Sequence, residues 1–202
     1  MKISHTRLED ARRNPGQFIS NAKNPGKFFG TTHFGYLKAA VARYHKQGLS
    51  IALRYLEDSF SKRKYTPKSL AKYRDLLLLY TSRFEHSGED FVKTKDKIHM
   101  DIGSGVQIVG EVGRISLIGG EYNVLVFERL MPSDFATQLR MPLLQDYYAA
   151  FTRSPLRQVH VGVYVFEQGI SQTKCFAEKD VAKAKAEATV LARRLYRLQQ
   201  KI

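Results

Sequence analysis

The sequence is poor in cysteine, in long apolar runs and in acidic residues. Its 202 residues include one cysteine, Cys175, which excludes internal disulfide bonds and the four-cysteine ligation of an iron–sulfur cluster. No segment is apolar enough for a membrane span. Residues 1–24 carry charges throughout and lack the apolar run of a signal peptide. We therefore expect a cytoplasmic protein without a membrane partner.

Acidic residues are outnumbered by basic ones. The chain has 33 Lys and Arg against 19 Asp and Glu, a formal net charge of +14 at pH 7. Such an excess on a small domain creates a positive field that attracts polyanions. We expect nucleic acid, DNA in the first place, as the partner. The alternatives are a basic surface kept for solubility, an acidic protein partner and an anionic membrane face.

The composition is that of one folded domain. Apolar residues make up 43% of the chain and aromatic residues 11%, which is enough for a substantial core at this length. We expect residues 1–202 to form a single domain. Within it, residues 34–95 form a mainly helical block, because apolar residues recur there at helical spacing.

Two strands joined by a glycine turn stand at the centre of the chain. Val106 to Val112 and Tyr122 to Phe127 are rich in β-branched and aromatic residues and flank Gly119-Gly120, which predicts a β-hairpin. The remaining elements are a strand before the hairpin and a helix, a strand and a closing helix after it, at residues 97–102, 138–148, 159–166 and 178–200. The order predicts an α/β (α+β) fold with helices flanking a mixed central sheet.

Five short motifs follow one another along the chain. They are Ser4-His5-Thr6-Arg7-Leu8 with Pro15 and Phe18, Gly30-Thr31-Thr32-His33, Gly110-Glu111-Val112-Gly113, Val126-Phe127-Glu128-Arg129, and Gln138 with Tyr147 or Tyr148. In order and spacing they resemble the RecB-type branch of the PD-(D/E)XK nuclease superfamily, which includes helicase-linked and CRISPR spacer-acquisition nucleases. The resemblance implies a restriction-endonuclease-like core whose helical insertion, residues 34–95, arches over the DNA path.

The chain departs from this family at the catalytic residues. The resemblance puts the two metal-binding acids at Gly113 and Phe127, and the catalytic lysine at Arg129. The family's chemistry needs two carboxylates converging on Mg²⁺, because this small hard cation demands oxygen ligands in near-octahedral geometry. Gly113 and Phe127 offer no ligand, and Arg129 is not readily deprotonated. We therefore expect no catalytic residue, no metal and no cofactor.

The alternative is that acidic residues at other positions replace the two missing metal-binding acids. Side chains alternate along a strand, so Glu111 faces the same side as Gly113, whereas Glu128 faces away unless a β-bulge turns it. In an active Mg²⁺-dependent nuclease, Glu111, Glu128 and His33 would bind the metal. Asp101 is a further displaced acid. One carboxylate and one histidine make a poor Mg²⁺ site, so a packed structural role is favoured for His33.

A basic run lies within the helical block. Its members are Lys62, Arg63, Lys64, Lys68, Lys72 and Arg74. Thr66-Pro67 predicts a helix start, and Lys68 and Lys72 share one helical face. We expect these cations to neutralise phosphates while Tyr65 or Tyr73 stacks on an unpaired base. A solvated helix face that the tyrosines anchor to the core is the equal alternative.

Two further features are basic. Asn14-Pro15-Gly16 and Asn24-Pro25-Gly26 each follow a basic residue, and both predict a turn. The outer face of the closing helix carries Lys183, Lys185, Arg193, Arg194 and Arg197, a second candidate contact for nucleic acid or a partner.

These features predict a non-catalytic protein of nuclease fold that binds nucleic acid. Arg129, Gln138 and Tyr147 would lie near the former catalytic cleft, with the basic run beside the path. The protein would be an accessory subunit beside a helicase or an active nuclease in DNA processing, repair, mobile-element or antiviral machinery. The alternatives are an active Mg²⁺-dependent nuclease and a scaffold for an acidic protein partner.

Overall fold

The computed structural model describes residues 1–23, 33–62, 65–132 and 134–201, which form six strands and seven α-helices. The strands are β1 (Lys2–Ser4), β2 (Asp90–Asp101), β3 (Gln107–Ile118), β4 (Glu121–Glu128), β5 (Val159–Val165) and β6 (Ile170–Lys174). The helices are α1 (Leu8–Arg13), α2 (Pro15–Lys23), α3 (His33–Gln47), α4 (Leu49–Lys62), α5 (Pro67–Glu85), α6 (Arg140–Thr152) and α7 (Glu178–Gln200). None of these helices combines the length and apolar character needed to cross a membrane.

Strand β3 is the centre of the sheet. On one side β2 pairs with it in antiparallel register over nearly its whole length. On the other side, β1 runs parallel to Gln107–Val109 and β4 runs antiparallel to Arg114–Ile118. Strand β4 then pairs in parallel with β5, and β5 pairs in antiparallel with β6. The predicted mixed central sheet is confirmed.

Two apolar cores lie on opposite faces of the sheet. Val124 and Val126 of β4 belong to a core completed by α1, α2, α6 and α7, which we call the α6–α7 face. Leu125 and Phe127 belong to a second core completed by α3, α4 and α5, the α3–α5 face. Because side chains alternate along a strand, one apolar run serves both cores.

The hairpin and the closing helix form as predicted. Gly119 and Gly120 have φ values of 56° and 85°, the left-handed pair that a tight β-hairpin turn requires. The helix expected at residues 178–200 is α7. The helical block ends earlier than predicted, since α5 finishes at Glu85 and residues 90–95 already belong to β2.

The turn predicted at Asn14-Pro15-Gly16 was wrong. Pro15 is the first residue of α2, where its missing N–H removes no helical hydrogen bond. The Oδ1 atom of Asn14 accepts from the backbone N–H of Gln17 at 3.2 Å, as a capping residue does. The second copy, Asn24-Pro25-Gly26, lies outside the described residues.

Thr66 caps α5, because its Oγ1 atom accepts from the backbone N–H of Ser69 at 3.2 Å. The variant Thr66→Ala should therefore lower the free energy of unfolding, measured by urea denaturation, by about 1 kcal/mol. Thr66→Ser keeps the hydroxyl and should behave like the natural protein. An equal loss in both variants would show that the cap contributes nothing.

Candidate functional site

The sheet has a gap beside β3. Strand β1 pairs with Gln107–Val109 and β4 with Arg114–Ile118, so within the described chain residues 110–113 face no strand on that side. These four residues are the Gly110-Glu111-Val112-Gly113 motif. The position that the resemblance assigns to the first metal-binding acid therefore lies at the strand gap.

The ring of Phe127 fills the space in front of Gly113. A Cβ atom built on Gly113 would lie 2.2 Å from Cγ of Phe127, so any side chain at position 113 would collide with the ring. Phe127 is only 5% exposed, and its ring centroid lies 5.1 Å from that of Phe166 and 5.8 Å from that of Tyr80. Positions 113 and 127, to which the resemblance assigns the two metal-binding acids, therefore both lie in one aromatic core.

Glu111 and Glu128 lie on opposite faces of the sheet. A carboxylate oxygen of Glu111 is 3.8 Å from Nζ of Lys38 in α3. Glu128 instead accepts from Nη2 of Arg140 in α6 at 2.8 Å. Because the sheet separates the two carboxylates, they cannot converge on one ion. The described residues contain no group of three or more His, Cys, Asp or Glu side chains placed to hold a metal ion.

His33 packs as an aromatic ring. Its ring centroid is 4.0 Å from that of Tyr65 and 5.2 Å from that of Phe60. Its Nε2 atom is buried without a hydrogen-bond partner among the described residues. Within the described residues His33 belongs to no group of three or more His, Cys, Asp or Glu side chains that could hold a metal ion, and its aromatic contacts favour the structural role. Gly30, Thr31 and Thr32 of the same motif lie outside the described residues.

The structure brings two predicted cations together at one carboxylate. Nζ of Lys72 donates to Oε1 of Glu167 at 2.9 Å, and Nε of Arg129 lies 3.6 Å from the same oxygen. The hydrogen bond from Lys72, followed by the charges of Lys72 and Arg129, lowers the pKa of Glu167. Lys62 and Lys68 are also exposed. Because Lys68 lies one turn before Lys72 in α5, we call Lys68, Lys72 and Arg129 the α5 surface.

Arg63, Lys64 and the two tyrosines also belong to the segment of the basic run. Arg63 and Lys64 lie outside the described residues. Tyr73 is buried, so the prediction that it stacks on a base was wrong. Tyr65 is half-buried, and its ring packs edge-on against those of His33 and Phe60.

Gln138 and Tyr147 do not lie with Arg129 around one cleft, and that prediction was wrong. The buried amide of Gln138 donates to Asp134 at 3.0 Å and accepts from Nε of Arg140 at 2.6 Å, so it orients the arginine that holds Glu128. Tyr147 lines a groove between β2, α6 and α7. Both residues belong to the α6–α7 face, whereas Arg129 meets Lys72 of α5.

Sequence reasoning missed His5, which closes the strand gap. His5 is 3% exposed, and its Nε2 atom lies 3.2 Å from the carbonyl oxygen of Glu111, which fixes Nε2 as the donor. A Cβ atom at Gly110 would lie 2.2 Å from Cδ2 of His5. Burial and then the charge of Arg140 lower the pKa of His5 to about 4. Gly110 was the available signal, because a glycine in a strand often marks a close approach.

A second basic surface lies at the end of α7. Arg193, Arg194, Arg197 and Lys201 line a shallow groove with Val190 and Leu198, and we call these four cations the α7 surface. None of the four takes part in an ion pair within the described residues. The two basic surfaces belong to helices on opposite faces of the sheet.

Comparisons with known proteins found similarity to solved structures. No family model and no curated protein matches the chain. Among solved structures, a protein from Eubacterium rectale described as a "putative exonuclease" matches with a TM-score of 0.54. The match covers 90% of this chain and 73% of that one, at 8% sequence identity. The chain has a nuclease-like fold.

The contact between Gly113 and Phe127 can be tested by a double-mutant cycle. Gly113→Ala should lower the free energy of unfolding by about 2 kcal/mol through overpacking, and Phe127→Ala by about 4 kcal/mol through lost burial. The double variant should lose about 1 to 2 kcal/mol less than the sum, because removing the ring relieves the clash. Gly16→Ala, in an open helical position, should cause no loss. Additive effects in urea denaturation would contradict the contact.

His5 should make stability depend on pH. Its folded pKa of about 4 lies below the ordinary value of 6.5, so the unfolded chain binds the proton more tightly. The contribution is complete above about pH 6.5 and is lost as pH falls towards 4. His5→Gln keeps a donor for Glu111 and should reduce this loss in unfolding free energy by up to about 3 kcal/mol. Identical pH profiles in urea denaturation would contradict the assignment.

Proposed function

We propose that this protein belongs to the RecB-type branch of the PD-(D/E)XK superfamily and binds nucleic acid without cleaving it. The observation that carries the proposal is the ring of Phe127 packed against Gly113, at the two positions where the resemblance puts the metal-binding acids. A hydrated divalent ion needs an open site lined by oxygen atoms. Here the same space belongs to an apolar core.

The acids that remain nearby are engaged elsewhere. Glu111 pairs with Lys38 and Glu128 with Arg140, on opposite faces of the sheet. Asp101 accepts from the backbone N–H of Gly103 at 2.8 Å in the connection between β2 and β3. These arrangements give no support to a nuclease that uses displaced acids, because two-carboxylate metal catalysis needs side chains that meet at one point.

Charge supports nucleic acid, with DNA in the first place, as the partner. The net charge of +14 favours capture of a polyanion, and loss of the two acids removes repulsion toward phosphate. On the α5 surface, Glu167 holds Lys72 and Arg129 side by side. A backbone phosphate placed there would meet two cations already oriented, as phosphate-contacting side chains are in DNA complexes. We infer that the α5 surface is the contact.

A nuclease-like protein without cleavage activity would act beside an active partner. We propose that it is an accessory subunit that holds DNA for a helicase or a nuclease in DNA processing, repair or antiviral defence. Its role would be to increase the residence of the complex on DNA, since electrostatic contacts supply sequence-independent affinity.

The first test separates binding from cleavage. The purified protein is incubated with end-labelled single- and double-stranded DNA and Mg²⁺ or Mn²⁺, while fluorescence anisotropy measures binding across a salt series. We expect intact DNA and a negative slope of log affinity against log salt. Metal-dependent products that disappear in Glu111→Ala would overturn the non-catalytic assignment, and affinity independent of salt would overturn phosphate binding.

A second test locates the contact. The double variant Lys68→Gln with Lys72→Gln should make the salt slope shallower by about 2, because two phosphate contacts are lost. The matched pair Arg193→Gln with Arg197→Gln removes the same charge from the α7 surface and should leave the slope unchanged. The reverse result would move the contact to α7.

Replacing Glu167 on the same surface should have the opposite effect on DNA affinity. Glu167→Gln removes the anion that shares Lys72 and Arg129, so DNA should bind about threefold more tightly at low salt. The gain should disappear when Lys72→Gln is added. Weaker binding by Glu167→Gln, measured by the same anisotropy assay, would contradict competition between this carboxylate and phosphate, and would show that its orientation of the two cations matters more than its charge.

A further inference from the structure

We propose that DNA bound at the α5 surface continues along the exposed edge strand β6. There, the hydroxyl groups of Ser171 and Thr173 and the guanidinium of Arg83 contact backbone phosphates. We call these three residues the β6 strip. This inference rests on the proposed function, because it adds phosphate contacts to the same site.

Strand β6 begins beside the α5 surface. Glu167, which bonds Lys72 at 2.9 Å and lies 3.6 Å from Arg129, is three residues before the first residue of β6. A Cβ atom built on Gly169 would lie 2.7 Å from Cδ2 of Leu79, so α5 packs directly against the turn that leads into β6. The α5 surface and β6 are therefore neighbours at this end of the sheet.

Two hydroxyl groups of β6 face the same side of the sheet as α5. Ser171 pairs with Tyr164, and Thr173 pairs with Gly162. Residues opposite one another in an antiparallel pair point to the same face, and Tyr164 belongs to the core of the α3–α5 face. Ser171 and Thr173 therefore point to this face, whereas the other three residues of β6 point to the α6–α7 face.

Both hydroxyl groups are accessible to a ligand. All five residues of β6 are exposed, and neither hydroxyl has a hydrogen-bond partner within the described residues. In the part of the chain that the structure describes, β5 is the one strand paired with β6, so the outer edge of β6 also presents unpaired backbone groups. Hydroxyl and backbone N–H groups contact phosphates in DNA complexes, and sheet edges form anion-binding concavities.

Arg83 adds a cation on the same side of the sheet. It is exposed in the last turn of α5 and forms no ion pair with another described residue. Burial raises the pKa of Tyr164, and the charge of Arg83 is among those that oppose this shift. Arg83 thus lies near Tyr164, the residue that pairs with Ser171.

The balance of charge on this side favours phosphate. Four cations stand against two acids: Lys68, Lys72, Arg83 and Arg129 against Asp75 and Glu167. The carboxylate of Glu167 already bonds one of these cations and lies close to a second.

An extended peptide suits β6 less well than a DNA strand. A peptide strand added to a sheet edge gains specificity from pockets for its alternate side chains. On this face β6 presents only the small polar side chains of Ser171 and Thr173, which form no such pocket. A DNA strand instead presents a phosphate about every 3.4 Å of helix axis, so several can lie beside a strand of five residues.

Hydroxyl contacts and charge contacts should have different effects on the salt dependence. The double variant Ser171→Ala with Thr173→Val should weaken binding of duplex DNA about tenfold at constant salt slope, because neutral groups release no counterions. Arg83→Gln should make the slope of log affinity against log salt shallower by about 1. Both effects are measured by fluorescence anisotropy with end-labelled duplex DNA.

The opposite face of β6 provides matched controls. Gln172→Ala removes a polar side chain and Lys174→Gln removes one charge, both from the same strand but on the α6–α7 face. These variants should leave affinity and salt slope unchanged. All the replaced side chains are exposed, so every variant should unfold at the same temperature as the natural protein. Equal effects on the two faces would overturn the proposal.

Hydrogen exchange provides a second measurement of the contact. DNA should slow exchange of the β6 amides and leave those of β2, on the other side of β3, unchanged. Unchanged affinity and slope in the β6 strip variants, while the natural protein binds DNA, would overturn this inference alone. Protection of β6 by an uncharged extended peptide and not by DNA would also overturn it. A natural protein that does not bind DNA would overturn the proposed function as well.

Discussion

The contact between the ring of Phe127 and the backbone of Gly113 determines what this fold can do. A ring fits there only because position 113 has no side chain, and position 127 supplies the atoms that fill the space. The ring then joins Tyr80, Tyr164 and Phe166 beneath α3, α4 and α5. Both faces of the central strands are thereby buried, and a place that would need water and carboxylates for hydrolysis instead contributes packing energy.

Four acidic side chains of this basic protein are counterions in buried or partly buried pairs. The pairs are Glu89 with Arg114, Glu111 with Lys38, Glu128 with Arg140, and Asp96 with Lys93 and the Tyr148 hydroxyl. Removing one member of such a partly buried pair leaves the other charge without compensation, which is costly. Each pair neutralises one cation with one acid, so the excess of 33 Lys and Arg over 19 Asp and Glu remains and the long-range field is positive.

The sequence predicted those elements that carry a repeated pattern. The hairpin follows from two β-branched strands around Gly119-Gly120, and α7 follows from its apolar stripe. Strands β1 and β6 were not predicted, because one has three residues and the other is exposed along its length. At the site, Gly113 and Phe127 were interpreted as two separate losses. Their direct contact depends on the register of β3 and β4. The burial of Arg140 depends on how α6 packs against the sheet. No local sequence pattern encodes either of these.

The proposed function without cleavage requires that no divalent ion binds at the strand gap. The most direct measurement is a Mn²⁺ titration followed by NMR, in which a bound ion broadens the amide signals of nearby residues. We predict no saturable broadening of the amides of residues 110–114 and 126–129, because an aromatic core occupies the position of both acids. Saturable broadening centred on Gly113 and Phe127 would contradict the account.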